Sequence, residues 1–310
     1  MSSSATARGT PVAERGDGWD DKEIGRPCVL RVGDAWWMWY AGSDSRFERA
    51  IGLAHSADGM VWQRFGPGPV LAPPGRRFGP GYHSLANPAV VRRGDGFLLV
   101  ANAQGGRAGQ DLVASESADG VTWSASWLLA ASEGGAGYGA PWLVARSDIL
   151  HLFAAGQTGG PESAATIRHA IFDEGRTWSW RPACRLDGDG EMDHPCVIAE
   201  DDRFVLWVGR YRGGRWEIHR AEGIDGDAWG QSRAVVLPGP DGALDSAGAM
   251  APCVVRDGPS YVMWFLGSSR SSDGYRGVVL RAWSADGVGW RREPADPVFR
   301  PSPGLYLNPF

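Results

Sequence analysis

Lysine is nearly absent from this sequence: Lys22 is the only one, and every other basic residue among the 31 Lys and Arg is arginine. The skew reads as codon usage in a GC-rich bacterial genome, and Lys22 as a surface residue rather than a Schiff-base amine. No block of like charges occurs and the formal net charge is −5, which excludes the electrostatic footprint of a nucleic-acid or anionic-membrane binder. No stretch approaches the ~18 consecutive apolar residues of a membrane span, and residues 1–18 lack the apolar region of a secretory signal. The chain therefore reads as cytoplasmic. Its four cysteines are widely separated, without the paired spacings of a zinc site or a disulfide framework. Reduced thiols and no metal are expected. Glycine-rich stretches such as Gly134-Gly135-Ala136-Gly137 lack the Lys-Ser/Thr and helix of a nucleotide loop, so no cofactor is expected either. The partner left by these exclusions is a small molecule.

What the sequence has in excess is glycine and tryptophan, 45 and 16 residues, and their placement is periodic. A Gly-X-X-Trp signature ends at Trp62, Trp123, Trp178, Trp229 and Trp290, with spacings of 61, 55, 51 and 61 residues. A second mark keeps phase with it, Pro followed two residues later by Val or Leu: Pro27/Val29, Pro88/Val90, Pro141/Leu143, Pro195/Val197 and Pro252/Val254. About nine residues after each proline comes an apolar or aromatic run, such as Trp36 to Tyr40 or Phe204 to Val208, several of them behind a Gly-Asp turn. A third run precedes each Gly-X-X-Trp, and the Trp opens a fourth. Length and aromatic or β-branched content favour strands.

Five such units cannot bury their faces alone but can pack around an axis. The expected fold is all-β: one domain over residues 1–310, a five-bladed β-propeller of four-stranded antiparallel blades. Blade boundaries fall near 13–73, 74–132, 133–186, 187–237 and 238–300. Residues near either end, Thr10-Pro11-Val12 or Asp296-Pro297-Val298, are expected to complete the last blade. The tail 301–310 reads as a surface extension, whose Leu307-Asn308-Pro309 echoes Ala86-Asn87-Pro88 and offers a weak homo-oligomer contact. The repeat tryptophans read as anchors between sheets, and the Asp-Gly pairs as turns.

In such a fold the loops entering the first strands line a funnel, so residues just before the five prolines are the candidate pocket. The residue immediately before each proline is Arg26, Asn87, Ala140, His194 and Ala251. Strand alternation places the residue after it on the same face: Cys28, Ala89, Trp142, Cys196 and Cys253. Three cysteines at one repeat position suit small-residue packing near the axis. The loops upstream carry Glu23, Tyr82, His83, Tyr138, Glu191, Asp193 and Asp245, a set able to supply acids, bases and hydrogen bonds.

Five units with X-X-Pro-X-Val, the strand Trp37-Met38-Trp39-Tyr40-Ala41-Gly42, and Ile51 to Ser56 running into Asp58-Gly59 and Trp62 together resemble the five-bladed propeller glycosidases. These are the arabinanase and β-xylosidase group, with invertases and levansucrases as cousins. The resemblance implies a general base before the first-blade proline, a pKa-modulating Asp before the third-blade proline, and an acid two residues before the fourth. Here those positions hold Arg26, Ala140 and Asp193. Glycoside hydrolysis needs two carboxyl groups, and with Asp193 as the acid the second is Glu23 or Glu191. In a second reading Arg26 and Asn87 hold an anionic or carbonyl oxygen while His194, oriented by Asp193 or Glu191, moves a proton in a cyclase, lyase or isomerase. In a third, Tyr82, Tyr138 and Trp142 stack on a bound sugar without chemistry.

Overall fold

The computed structural model describes residues 19–20, 23–43, 48–73, 81–105, 110–132, 137–157, 166–172, 177–184, 186–187, 191–271, 274–293 and 298. Among them there is no helix. Twenty strands follow one another in groups of four. Unit 1 holds β1 (Glu23–Val32), β2 (Ala35–Ser43), β3 (Arg49–Ser56) and β4 (Gln63–Arg64). Unit 2 holds β5 (Tyr82–Arg93), β6 (Gly96–Gly105), β7 (Asp111–Ser117) and β8 (Trp127–Ala130). Unit 3 holds β9 (Gly137–Arg146), β10 (Ile149–Gln157), β11 (Thr166–Phe172) and β12 (Trp178–Trp180). Unit 4 holds β13 (Glu191–Ala199), β14 (Phe204–Arg212), β15 (Arg215–Gly223) and β16 (Arg233–Val236). Unit 5 holds β17 (Gly248–Asp257), β18 (Ser260–Ser271), β19 (Gly274–Ser284) and β20 (Arg291–Arg292).

Each unit is an antiparallel meander in chain order. Two-residue hairpins open several of them because their loops tolerate positive φ, as at Gly33 and Gly94. Units 1, 2 and 3 are separate four-stranded sheets. Units 4 and 5 merge into one eight-stranded sheet through a single parallel bridge, Trp216 to Gly248, which departs from the expected separation of all sheets. The close approach requires the absence of a side chain at Gly248, where a Cβ would lie 3.0 Å from the Trp216 Cβ.

The core lies between the sheets. One apolar cluster joins Trp39 and Leu53 of unit 1 to Leu85 and Phe97 of unit 2. A second joins Val100 to Leu143 and Leu152, and a third Phe153 to Phe204 and Leu206. The fourth joins Trp207 to Phe265, and the fifth returns from Val262 and Trp264 to Val29, Met38 and Tyr40 of unit 1. Val298 is buried in that last cluster, beside the first unit, while the outermost described strand of unit 5 is β20. Residues 10–12 and 301–310 lie outside the described residues.

The fourth strand begins at the repeat Trp only in unit 3, and directly after it in units 1 and 5. Trp123 and Trp229 instead precede β8 and β16 by several residues. There the chain makes one backbone bond back to the third strand, Ser124 to Glu116 and Gly230 to Glu222, and ladder pairing resumes at Trp127 and Arg233 with a bulge two residues further on. The Ser-Ala-Asp-Gly turns are built as their residue types dictate. Ser117 Oγ accepts the Gly120 amide at 2.8 Å, and Asp119 Oδ1 accepts those of Val121 and Thr122; the turns at Asp58 and Asp286 repeat the pattern.

Candidate functional site

All five first strands carry the same irregularity. Between Gly25 and Cys28, Ala86 and Ala89, Gly139 and Trp142, Asp193 and Cys196, and Met250 and Cys253, three residue steps face two on the second strand. The extra residue belongs to the X-Pro pair. Proline lacks the ladder N–H and disfavours the right-handed helical region for the residue before it, and the chain resolves both constraints with a bulge. At Asn87, Ala140, His194 and Ala251 φ is 51, 32, 54 and 51°, left-handed values that cost a side-chain-bearing residue about 1 kcal/mol or more. Such strain persists only where packing over-determines it.

Because the bulge breaks the alternation, the residue after the proline points elsewhere than the sequence suggests. Cys28 Sγ accepts the Val90 amide of unit 2 at 3.3 Å. Cys196 Sγ accepts that of Val254 in unit 5 at 3.1 Å. Cys253 bonds the Val29 backbone of unit 1. Trp142, expected as a stacking platform, donates its indole N–H to Val197 O of unit 4 at 2.7 Å. These side chains stitch first strand to first strand. Burial pushes the thiols up, Cys28 to about 11 and Cys253 to about 12.

Asp193 and His194 come together. Asp193 Oδ1 accepts the His194 backbone N–H at 2.7 Å, and its Oδ2 lies 3.2 Å from His194 Nδ1. Both side chains are partly exposed, 31% and 18%, so a carboxylate-oriented imidazole is presented with Nε2 outside this contact. Glu191 is exposed on the same strand, two residues away. Glu23 and Arg26 lie on β1; their side chains fall outside the described residues.

The other candidates are held in structural contacts. Asn87 Nδ2 donates to Asn102 Oδ1 at 2.7 Å, and Asn102 Nδ2 to Tyr138 O at 2.6 Å, a buried amide chain from unit 2 to unit 3. The Tyr82 hydroxyl bonds Asp111, whose other oxygen accepts the Ser132 N–H. Tyr138 packs 5.2 Å from Trp180 beneath the Arg168 guanidinium. His83 is exposed, its Nδ1 3.3 Å from Ser84 Oγ.

Asp245, expected at the funnel, is buried and paired with Arg292 of β20. Its counterpart in unit 1 is Asp20, which accepts from Tyr40 at 3.0 Å and Arg64 at 2.9 Å. Both aspartates stand seven residues before the repeat proline, and both arginines two residues after the repeat Trp. Glycine is required beneath them, since a Cβ on Gly42 would lie 2.5 Å from the Asp20 Cβ and one on Gly267 3.0 Å from that of Asp245. Sequence reasoning missed Asn102, and also the buried His151 and His169. The available signal was a polar residue inside an apolar run, as in Leu150-His151-Leu152.

No family model matches the sequence. The uncharacterized protein MT1551 of Mycobacterium tuberculosis is 32% identical over 139 residues, 41% of this chain and 44% of that protein, so the chain spans less than half of that relative's length. Among solved structures, a thermostable family-43 glycoside hydrolase aligns with a TM-score of 0.65 at 13% identity, covering 96% of this chain and 100% of that one. The Cellvibrio cellulosa α-L-arabinanase complexed with arabinohexaose aligns with a TM-score of 0.65 at 12% identity, over 87% and 95%. An N-acetylgalactosamine deacetylase from F. plautii, in complex with blood group B trisaccharide, aligns with a TM-score of 0.65 at 20% identity, over 85% of each. At these identities the likeness is one of architecture, and the chain has the β-propeller fold found in glycoside hydrolases.

Proposed function

We propose that the five units are the blades of a five-bladed, single-domain propeller, and that its axial mouth is the site of an enzyme acting on a glycoside or small sugar-like metabolite. His194 is the proton-transfer group and Asp193 its orienting carboxylate; Arg26 and the exposed rim residues Glu191 and His83 contact the substrate. The observation that carries this reading is the Asp193–His194 pair, at the mouth position where the resembling glycosidases keep an acid. A carboxylate on Nδ1 fixes the tautomer and orientation of an imidazole and stabilises its charged form, leaving Nε2 to exchange a proton with substrate. Asp193 has one oxygen on the imidazole and the other on the His194 backbone N–H, which favours His194 over Asp193 as the acid.

Direct hydrolysis by carboxylates is the second reading. Glu191 and Asp193 stand two residues apart on one face of β13, two carboxyl groups of the kind that glycoside hydrolysis pairs. Turnover of aryl arabinosides, xylosides, galactosides and fructosides by wild type, His194→Gln, Asp193→Asn and Glu191→Gln separates them. Loss by about 10²-fold or more in His194→Gln, well beyond the loss in Glu191→Gln, supports the first reading. Loss in Glu191→Gln with His194→Gln active supports the second, and no turnover with any sugar overturns both for these substrates.

A further inference from the structure

The seams between units do not all close in the same way. In unit 1 the indole of Trp39 donates to Gly120 O in the turn of unit 2 at 2.9 Å, and in unit 4 that of Trp207 donates to Gly287 O in the turn of unit 5 at 3.1 Å. The same place in unit 3 holds Phe153, which has no donor. Its register partner on β11 is His169, where unit 1 has Leu53 opposite Trp39. His169 Nδ1 lies 2.6 Å from Asp227 Oδ1 in the turn of unit 4, and its Nε2 2.9 Å from His151 Nδ1 on β10. Phe153 stacks on His169 at 4.5 Å and Phe204 meets His151 edge-on at 4.8 Å. His169 has no exposed surface and His151 little.

We propose that the chain Asp227–His169–His151 is an acid-released clasp closing units 3 and 4, a polar substitute for the indole bond found at two of the other seams. With both rings neutral the proton order is forced: His169 Nδ1–H donates to the carboxylate, and His151 Nδ1–H donates to His169 Nε2. One added proton is carried without loss of a bond, because His151 accepts it at Nε2 or, after tautomer exchange, passes the charge to His169 beside Asp227. A second proton places N–H against N–H across 2.9 Å, and like charges meet in a dry seam. The seam then opens.

The titratable and charged groups facing the pair are Arg146 on β9, Arg181 after β12, and Asp225 and Asp227 in the turn, with Cys184 beside the two aspartates. Arg181 also holds Asp227 Oδ2 at 3.2 Å. The two arginines oppose protonation and the two aspartates favour it, while burial is the largest influence and lowers both imidazoles. The same seam buries Met192 and Val197 of β13, the strand that carries His194.

Hydrogen exchange of the folded protein over a descending pH series tests the clasp, each rate corrected for intrinsic exchange. In wild type, protection of residues 166–172 and 224–229 falls as the solution becomes acidic, and the slope steepens toward two protons, about 100-fold per pH unit. Residues 117–122 and 284–289, at indole-bonded seams, keep their protection over the same range. His169→Leu, which installs the residue of unit 1, removes the pH response. Should that variant fail to fold, Asp227→Asn keeps an acceptor for Nδ1–H but removes the charge that favours protonation of the closed seam, so the response keeps its onset, extends to lower pH and grows larger. Equal acid lability at every seam, an unchanged response in His169→Leu, or a smaller response in Asp227→Asn overturns the proposal.

Discussion

Arg292 holds Asp245 through its Nε at 2.8 Å and through a second guanidinium nitrogen, tying the outermost strand of unit 5 to the segment that leads into its first strand. The carboxylate is 3% exposed and the guanidinium 37%. Removing Arg292 strands a buried carboxylate, whereas removing Asp245 leaves a guanidinium that water reaches. Arg292→Ala is expected to cost about 3 kcal/mol and Asp245→Ala less, and the double variant no more than Arg292→Ala, because both delete the same interaction. Urea denaturation of the four proteins checks this.

The indole bonds across the seams give a second expectation. Trp39→Phe takes from the Gly120 carbonyl the indole donor it has at 2.9 Å and is expected to lower stability by about 1–3 kcal/mol. Trp207→Phe costs less, about 1 kcal/mol, because the Gly287 carbonyl keeps the Trp290 indole donor at 3.1 Å. Phe153→Trp gains no such increment, since the turn it faces is already held through His169. Thermal and urea midpoints of the three variants decide the matter.

Bulged positions respond in the opposite sense to glycine. At Ala251, with φ of 51°, glycine relieves left-handed strain of about 1 kcal/mol while adding a comparable unfolded-state entropy. Ala251→Gly is therefore expected within about 1 kcal/mol of wild type, whereas Ala251→Val, β-branched at positive φ, destabilises by more than about 2 kcal/mol. Equal effects of the two substitutions by calorimetry contradict the bulge geometry.

Acid acts in two stages. His151 is lowered to about 4 from 6.5 by burial, with neighbouring His169 next, so the unfolded chain binds the proton first as pH falls. Its stabilising contribution is complete above pH 6.5 and is lost between 6.5 and about 4, roughly 2 kcal/mol after allowance for solvent screening. Asp58, Asp119 and Asp286 are lowered by backbone N–H bonds in their turns, Asp119 to about 2. Their contribution is present above pH 3.8 and disappears below it. Denaturant titrations across this range should show both phases in wild type and a smaller upper phase in His151→Phe, because His169 and His219 are lowered by burial as well.

Thiol chemistry supplies a further check. Cys28, Cys196 and Cys253 are buried, bonded to a neighbouring first strand and shifted upward. A thiolate-seeking reagent at mildly alkaline pH should leave them unmodified in the folded protein and label them on unfolding. Rapid labelling of the folded protein contradicts the stitched arrangement.

Much of the architecture was legible because its marks are local. The Gly-X-X-Trp turns and the repeat prolines each report one place in every unit, and the apolar runs between them fall within β2, β6, β10, β14 and β18. What escaped depends on geometry that spacing does not encode. Parity along a strand placed Cys28 and Trp142 on the pocket face, but the X-Pro bulge inserts a residue and turns them into the seam. Asp245 looked like a rim carboxylate because its partner lies 47 residues away on the outermost strand. The Asp193–His194 pair was legible because its members are adjacent and their contact is short-range.

The most direct test of an axial site built on that pair is the thermal shift of wild type and His194→Gln against a panel of arabinose, xylose, galactose and fructose and their aryl glycosides. Binding to the folded state raises the melting temperature, and the rise grows with the logarithm of sugar concentration above Kd. Stabilisation of wild type by at least one of these sugars, diminished or lost in His194→Gln while that variant's own melting temperature is unchanged, is the predicted result. Equal stabilisation of both proteins would place the sugar elsewhere, and no stabilisation of either would contradict a sugar site at the mouth.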